Sequence, residues 1–114
     1  MKRAIAIALL FTVVLCSAAF AHPPKDIKIT FNLESKEVTA VIIHPVSNPE
    51  KHYIKKVNIA INGKEVFENT LTRQDNNNDQ TVIYALADMK AGDMISVEGY
   101  CNLSGKLLKE IKVE

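Results

Sequence analysis

The sequence has little of what would support a disulfide scaffold, a nucleic-acid surface or a membrane span. It has no tryptophan and only two cysteines among its 114 residues, so a framework of several disulfides is excluded. Its formal net charge at pH 7 is +1, and this near-neutral balance does not favour nucleic acid as a partner. Its main apolar run, residues 4–15, is shorter than the roughly 20 residues that a membrane helix needs. These absences leave a small globular protein.

The first 21 residues have the parts of a secretory signal peptide. Two basic residues precede the apolar run, and an Ala-Phe-Ala sequence ends at Ala21. We therefore predict cleavage after Ala21, export across the inner membrane, and a periplasmic or extracellular domain of residues 22–114 without a membrane span. An uncleaved anchor and a lipoprotein attached at Cys16 are the alternatives. Leu15, however, stands where a lipid attachment site requires a small residue.

Cleavage would leave Cys101 as the single cysteine of the mature chain, because Cys16 is removed with the signal. Small domains in oxidising compartments usually pair their cysteines. An unpaired one suggests an intermolecular disulfide, a reactive thiol or a metal ligand. A buried, inert thiol is the alternative, since free cysteine is among the most buried residue types.

The predicted mature chain has the alternating apolar pattern of short β-strands throughout. The β-branched run 41–43 predicts a central strand that is covered on both faces. Asn62-Gly63 predicts a tight hairpin turn, and the polar segment 73–80 predicts an exposed loop. Seven short strands separated by turn signals predict a two-sheet antiparallel β-sandwich. The predicted strands are residues 27–33, 38–44, 54–61, 64–71, 81–86, 94–101 and 106–113.

Two stretches could carry metal chemistry. Segment 44–54 begins with His44 and has His52 near its other end, and its prolines predict a loop or bent edge between two strands. Cys101 is the last residue of the sixth predicted strand. Two imidazoles and a thiolate are good ligands for iron, copper or zinc, and loops from distant strands meet at the ends of a sandwich. Histidines on a solvated loop are the alternative interpretation.

The motifs that carry these residues resemble the iron domain of desulfoferrodoxin and neelaredoxin, the superoxide reductases. They are His-Pro, a spacer and Glu-Lys-His-Tyr-Ile, followed late in the chain by Cys-Asn-Leu-x-Gly. The resemblance implies an immunoglobulin-like β-sandwich, a mononuclear non-haem iron, and reduction of superoxide to peroxide with an electron-donor protein as partner. It also implies equatorial ligands at His44 and His52 and an axial thiolate at Cys101.

The chain departs from that family at two places. Ser104 stands where the family motif Cys-Asn-x-His-Gly has a histidine, and the family's early Glu-Lys-His segment is absent. His22 lies at a plausible interval for the missing early ligand. Its imidazole and a free α-amine could also chelate copper together, or the residue could lie at a frayed chain end. A non-catalytic binding module that keeps the motifs as remnants is the remaining alternative.

Overall fold

The computed structural model describes residues 21–114, which form seven β-strands in two antiparallel sheets. The predicted signal peptide, residues 1–21, lies outside the described residues except for Ala21. Within the described part of the chain, no helix has the length and apolar character to cross a membrane. The strands are β1 (Asp26–Asn32), β2 (Glu37–Ile43), β3 (Ile54–Ile61), β4 (Lys64–Thr70), β5 (Asp79–Ala85), β6 (Met94–Cys101) and β7 (Lys106–Lys112).

The two sheets have the strand orders β1-β2-β5 and β4-β3-β6-β7. The predicted all-β, immunoglobulin-like antiparallel sandwich of about seven strands is therefore confirmed. Alternate residues of β2 and β6 are buried, which is the pattern of strands with one face on a core. The fully or almost fully buried apolar side chains form one cluster. They are Ile27, Val38, Ala40, Ile42, Ile54, Val57, Ile59, Val82, Leu86, Met89, Ile95, Val97 and Val113.

Two local predictions need correction. β2 is the central strand of its sheet, but Val41 and Ile43 are partly exposed, so the prediction that both faces are covered is wrong. Among residues 21–114, no second layer fully covers these two side chains on the face opposite the core. The polar segment 73–80 is not simply exposed, because Gln74 and Gln80 are 2% and 4% exposed and β5 already begins at Asp79. Hydrogen bonds within the protein replace water around both glutamine amides.

The predicted hairpin turn is confirmed between β3 and β4. Asn62 and Gly63 both have positive φ angles, of 51° and 82°. This is the conformation that a two-residue turn between right-twisted strands requires.

Strand β4 forms one edge of the four-stranded sheet, and most of its residues are exposed. Phe67 is 40% exposed and stacks on Tyr84 of β5, with 5.1 Å between the ring centroids. This aromatic pair bridges the neighbouring edges of the two sheets.

Asp93 is a buried carboxylate that secures the turn before β6. It accepts hydrogen bonds from Asn62 Nδ2 and from the Lys90 amide, each at 3.0 Å, and these bonds hold the pKa of Asp93 below its usual value of 3.8. We expect Asp93→Asn to lower the free energy of unfolding at pH 7. The deficit relative to the wild type should shrink as the pH falls below 3.8 and through the lowered pKa, because the native carboxylate then becomes protonated. Urea unfolding across this pH range measures the effect, and a deficit that is the same at every pH would contradict it.

Candidate metal centre

The candidate site lies at the end of the sandwich where several strand termini converge. His44 directly follows β2, and Cys101 is the last residue of β6. His52 lies two residues before Ile54, the first residue of β3, which pairs with Cys101 in the ladder. His22 lies four residues before the start of β1. Pairing of β1 with β2 and of β3 with β6, together with packing of the two sheets, therefore brings these four residues to one end of the molecule.

The three histidines form a cluster that could bind a metal ion. Their rings meet edge to face, with centroids 4.9 Å apart for His22 and His44, 5.1 Å for His22 and His52, and 4.7 Å for His44 and His52. One potential ligand atom from each residue lies within 4.8 Å of the other two. His44 is fully buried, while His22 and His52 are half-buried. The cluster therefore has one buried side, at His44, and one side that is partly open to solvent, at His22 and His52.

Cys101 joins the cluster through His52. Its thiol is free and 3% exposed, and its Sγ atom lies 3.2 Å from His52 Nε2. Ligand atoms about 2.1 Å (nitrogen) and 2.3 Å (sulfur) from one ion, at a right angle, would be about 3.1 Å apart. The observed separation thus suits two neighbouring ligands of a single ion. The Leu103 amide donates to the same sulfur at 3.4 Å.

Asn102 connects the two motif-bearing loops. Its backbone amide donates to Tyr53 O at 2.9 Å, and its Oδ1 accepts from the Tyr53 amide at 2.8 Å. Its Nδ2 donates to Lys51 O at 2.9 Å. These three bonds join Asn102 to Lys51 and Tyr53, the residues on either side of His52. They therefore hold the His52 ring against Cys101, the residue before Asn102.

The hydrogen bonds around His22 and His44 are incomplete if both rings are neutral. His22 Nδ1 and Nε2 lie 2.9 Å from the carbonyl oxygens of Pro23 and Pro45. His44 Nδ1 lies 2.8 Å from Gln74 Oε1, and His44 Nε2 lies 3.1 Å from His22 O. Four ring nitrogens therefore face four oxygens, but two neutral imidazoles carry only two N–H groups. Two nitrogen lone pairs face oxygen lone pairs, an arrangement that added positive charge would relieve.

The segment that carries His22 is docked on the sandwich and is not a frayed chain end. Pro24 is buried, and the Lys25 amide donates to Ile43 O at 2.8 Å. Gly105 packs directly on Pro23. A Cβ atom at Gly105 would lie 2.9 Å from the Pro23 Cβ atom. The loop after Cys101 therefore helps to hold His22 in place.

Burial and the neighbouring rings favour the neutral form of His52. Desolvation, followed by the charges of His44 and His22, lowers the pKa of His52 below its usual value of 6.5. A neutral imidazole is the form that donates a lone pair to a metal. A cleft of about 550 Å³ opens beside the ring and would admit a small ligand. It is lined by His22, Pro45, Val46, Ser47, His52, Asn77 and Asn78.

Three of the residues that the sequence singled out as metal ligands, His22, His44 and His52, form one cluster, and the fourth, Cys101, contacts that cluster at His52. Ser104, at the position of the family's histidine, is exposed on the neighbouring loop. Sequence reasoning missed two residues that support the site, Gln74 and Asn102. The position of Asn102 beside Cys101 in the motif was a usable signal for its role. The sequence has no such signal for Gln74, because this residue lies in a polar segment without an alternating apolar pattern.

No family model matches the chain, and no curated protein matches it in sequence. Solved structures do match its fold. The superoxide reductase (1Fe-SOR) from Giardia intestinalis has a TM-score of 0.62 at 16% identity, over 81% of this chain and 100% of that chain. The superoxide reductase (neelaredoxin) from Ignicoccus hospitalis has a TM-score of 0.50 at 22% identity, over 88% of this chain and 87% of that chain. The resemblance predicted from the motifs is thus confirmed in three dimensions, and this chain has the superoxide reductase fold.

Proposed function

We propose that this chain is an exported metal-binding protein that holds a mononuclear non-haem iron and reduces superoxide to peroxide. The observation that carries the proposal is the convergence of three histidine ligand atoms within 4.8 Å, with the Cys101 thiol 3.2 Å from one of them. Imidazole suits iron, copper and zinc, and a thiolate adds a strong electron donor.

In this proposal His22, His44 and His52 hold the ion through imidazole nitrogens, and Cys101 holds it through its thiolate. A ferrous ion bound there would supply the single electron that, together with two protons, converts superoxide to hydrogen peroxide. The buried His44 and Cys101 shield the inner side of the site from water. The half-exposed His22 and His52 border the cleft through which a small anion would approach.

Anaerobic titration with ferrous iron, followed by mild oxidation and a visible spectrum, tests the proposal. We expect stoichiometric binding and a ferric–thiolate band that disappears in Cys101→Ala. Rapid mixing of the iron-loaded protein with superoxide then tests for peroxide formation. Absence of iron binding would overturn the metal function and would favour a binding module whose motifs are remnants. Binding without superoxide turnover would overturn the enzymatic part.

Export is the part of this proposal that rests on the first 21 residues alone. Cleavage after Ala21 would expose the α-amine of His22 next to its clustered ring, which is the premise of the copper alternative. Cell fractionation with intact mass measurement tests both points. We expect a periplasmic or extracellular protein that begins at His22. Any other first residue would contradict the predicted cleavage site and remove the amine as a ligand.

A further inference from the structure

We infer that Gln74 is a positioning residue that fixes His44 in the tautomer whose Nε2 atom carries the lone pair for the metal. The consequence for metal binding rests on the proposed function, whereas the tautomer is a property of the metal-free protein. Gln74 is 2% exposed, and its side-chain partners come from the His44 residue and from Asn76.

The partners of Gln74 determine the orientation of its amide group. The Nε2 atom lies 2.8 Å from His44 O and 2.9 Å from Asn76 O. Its two hydrogens therefore have one carbonyl acceptor each. The reversed amide would place Oε1 against both carbonyl oxygens, leaving three acceptors together without a donor between them. Oε1 must therefore be the atom that faces the imidazole of His44.

This orientation dictates the tautomer of His44. Gln74 Oε1 can only accept, so His44 Nδ1, at 2.8 Å, must carry the hydrogen. A neutral imidazole has a single N–H, which leaves a lone pair on His44 Nε2. That lone pair faces another acceptor, His22 O, at 3.1 Å. Because a carbonyl oxygen cannot donate a hydrogen, the Nε2 lone pair remains available to a cation.

Gln74 is itself held in place by the loop that carries the ligands. Its backbone amide donates to Pro49 O at 2.9 Å, within the segment between His44 and His52. The polar segment 73–80 and the segment 44–54 thus hold each other in place through hydrogen bonds. The fully buried His44 ring lies between them. In metal sites the partner on the second ring nitrogen orients the ligand, and its loss typically weakens metal binding about 10- to 100-fold.

Nitrogen-15 NMR of the metal-free protein at about pH 8, where free imidazoles are neutral, tests the tautomer directly. We expect His44 to carry its proton on Nδ1 in the wild type. Gln74→Leu should lose this preference, because leucine offers no acceptor to Nδ1. Gln80→Leu is the matched control. Gln80 is another buried glutamine, 4% exposed, and its amide contacts Asp75 and Thr81.

Ferrous-iron affinity provides the second measurement. We expect Gln74→Leu to bind about 10- to 100-fold more weakly than Gln80→Leu. A wild-type proton on Nε2, or a Gln74→Leu variant that matches Gln80→Leu in both tautomer and affinity, would overturn the inference. If Gln74→Leu does not fold, the tautomer of His44 in the wild type alone tests the inference. A wild type with the Nδ1 proton but no iron binding would overturn the proposed function and leave the positioning role of Gln74 intact.

Discussion

Replacing His52 with alanine should weaken ferrous-iron binding about a hundred- to thousandfold. Apparent binding free energies of about 10–16 kcal/mol for structural zinc sites of four ligands correspond to about 2.5–4 kcal/mol per ligand. His52 is the best position for this test, because its ring is half-buried and lies near both other histidines and the Cys101 sulfur. Competition titration against a chelator of known affinity measures the change.

The matched control for His52→Ala is Lys51→Ala. Lys51 is exposed and lies in the same loop. We expect this variant to bind iron like the wild type. Unchanged iron affinity in His52→Ala, with thermal unfolding close to that of Lys51→Ala, would show that His52 is not a ligand.

Gly105→Ala should detach His22 from the cluster and weaken iron binding by a similar hundred- to thousandfold. Gly105 has a φ of +77°, and its added Cβ atom would meet the rigid ring of Pro23 at 2.9 Å. Because a proline ring cannot rotate away, the segment before β1 must move. The expected result is weaker iron binding together with loss of the close approach between His22 and His44, which NMR contacts between the two rings would report.

Gly63→Ala separates this effect from backbone strain. Gly63 has a φ of +82°, nearly that of Gly105, but an added Cβ atom would meet nothing within 4 Å. Both variants should lose about 1–2 kcal/mol of stability from the left-handed backbone conformation. Only Gly105→Ala should lose iron affinity. Equal iron affinity in the two variants would contradict the role of Gly105 in holding His22.

Most of the fold could be predicted because its strands have strong local signals. The alternation of apolar residues placed all seven strands within about two residues of their ends, and Asn62-Gly63 fixed one hairpin. The burial of Val41 and Ile43 was overestimated. A continuous β-branched run does not reveal whether a second layer covers the outer face of the strand. That depends on whether another helix or strand of the chain packs on this face.

The candidate site was predictable where chemistry and position coincide in a motif. His44, His52 and Cys101 stand in recognisable surroundings, and the loops of different strands meet at the end of a sandwich. The docking of His22 was not predictable in the same way, because it depends on a contact between Pro23 and Gly105, which are far apart in sequence. The role of Gln74 could not be predicted for a similar reason, since it depends on contacts with His44, which lies 30 residues earlier in the sequence.

The exposed strand β4 has a consequence for how copies of this protein behave at high concentration. An edge strand offers unpaired backbone groups on which a strand of another molecule could add, starting aggregation. Lys64, Glu65 and Glu68 surround the partly exposed Val66 and Phe67 on this strand. Adding a foreign strand would crowd these charges against the incoming chain. The charged residues of β4 therefore disfavour edge-to-edge self-association of the sandwich. The loops that carry the candidate ligands lie on other strands.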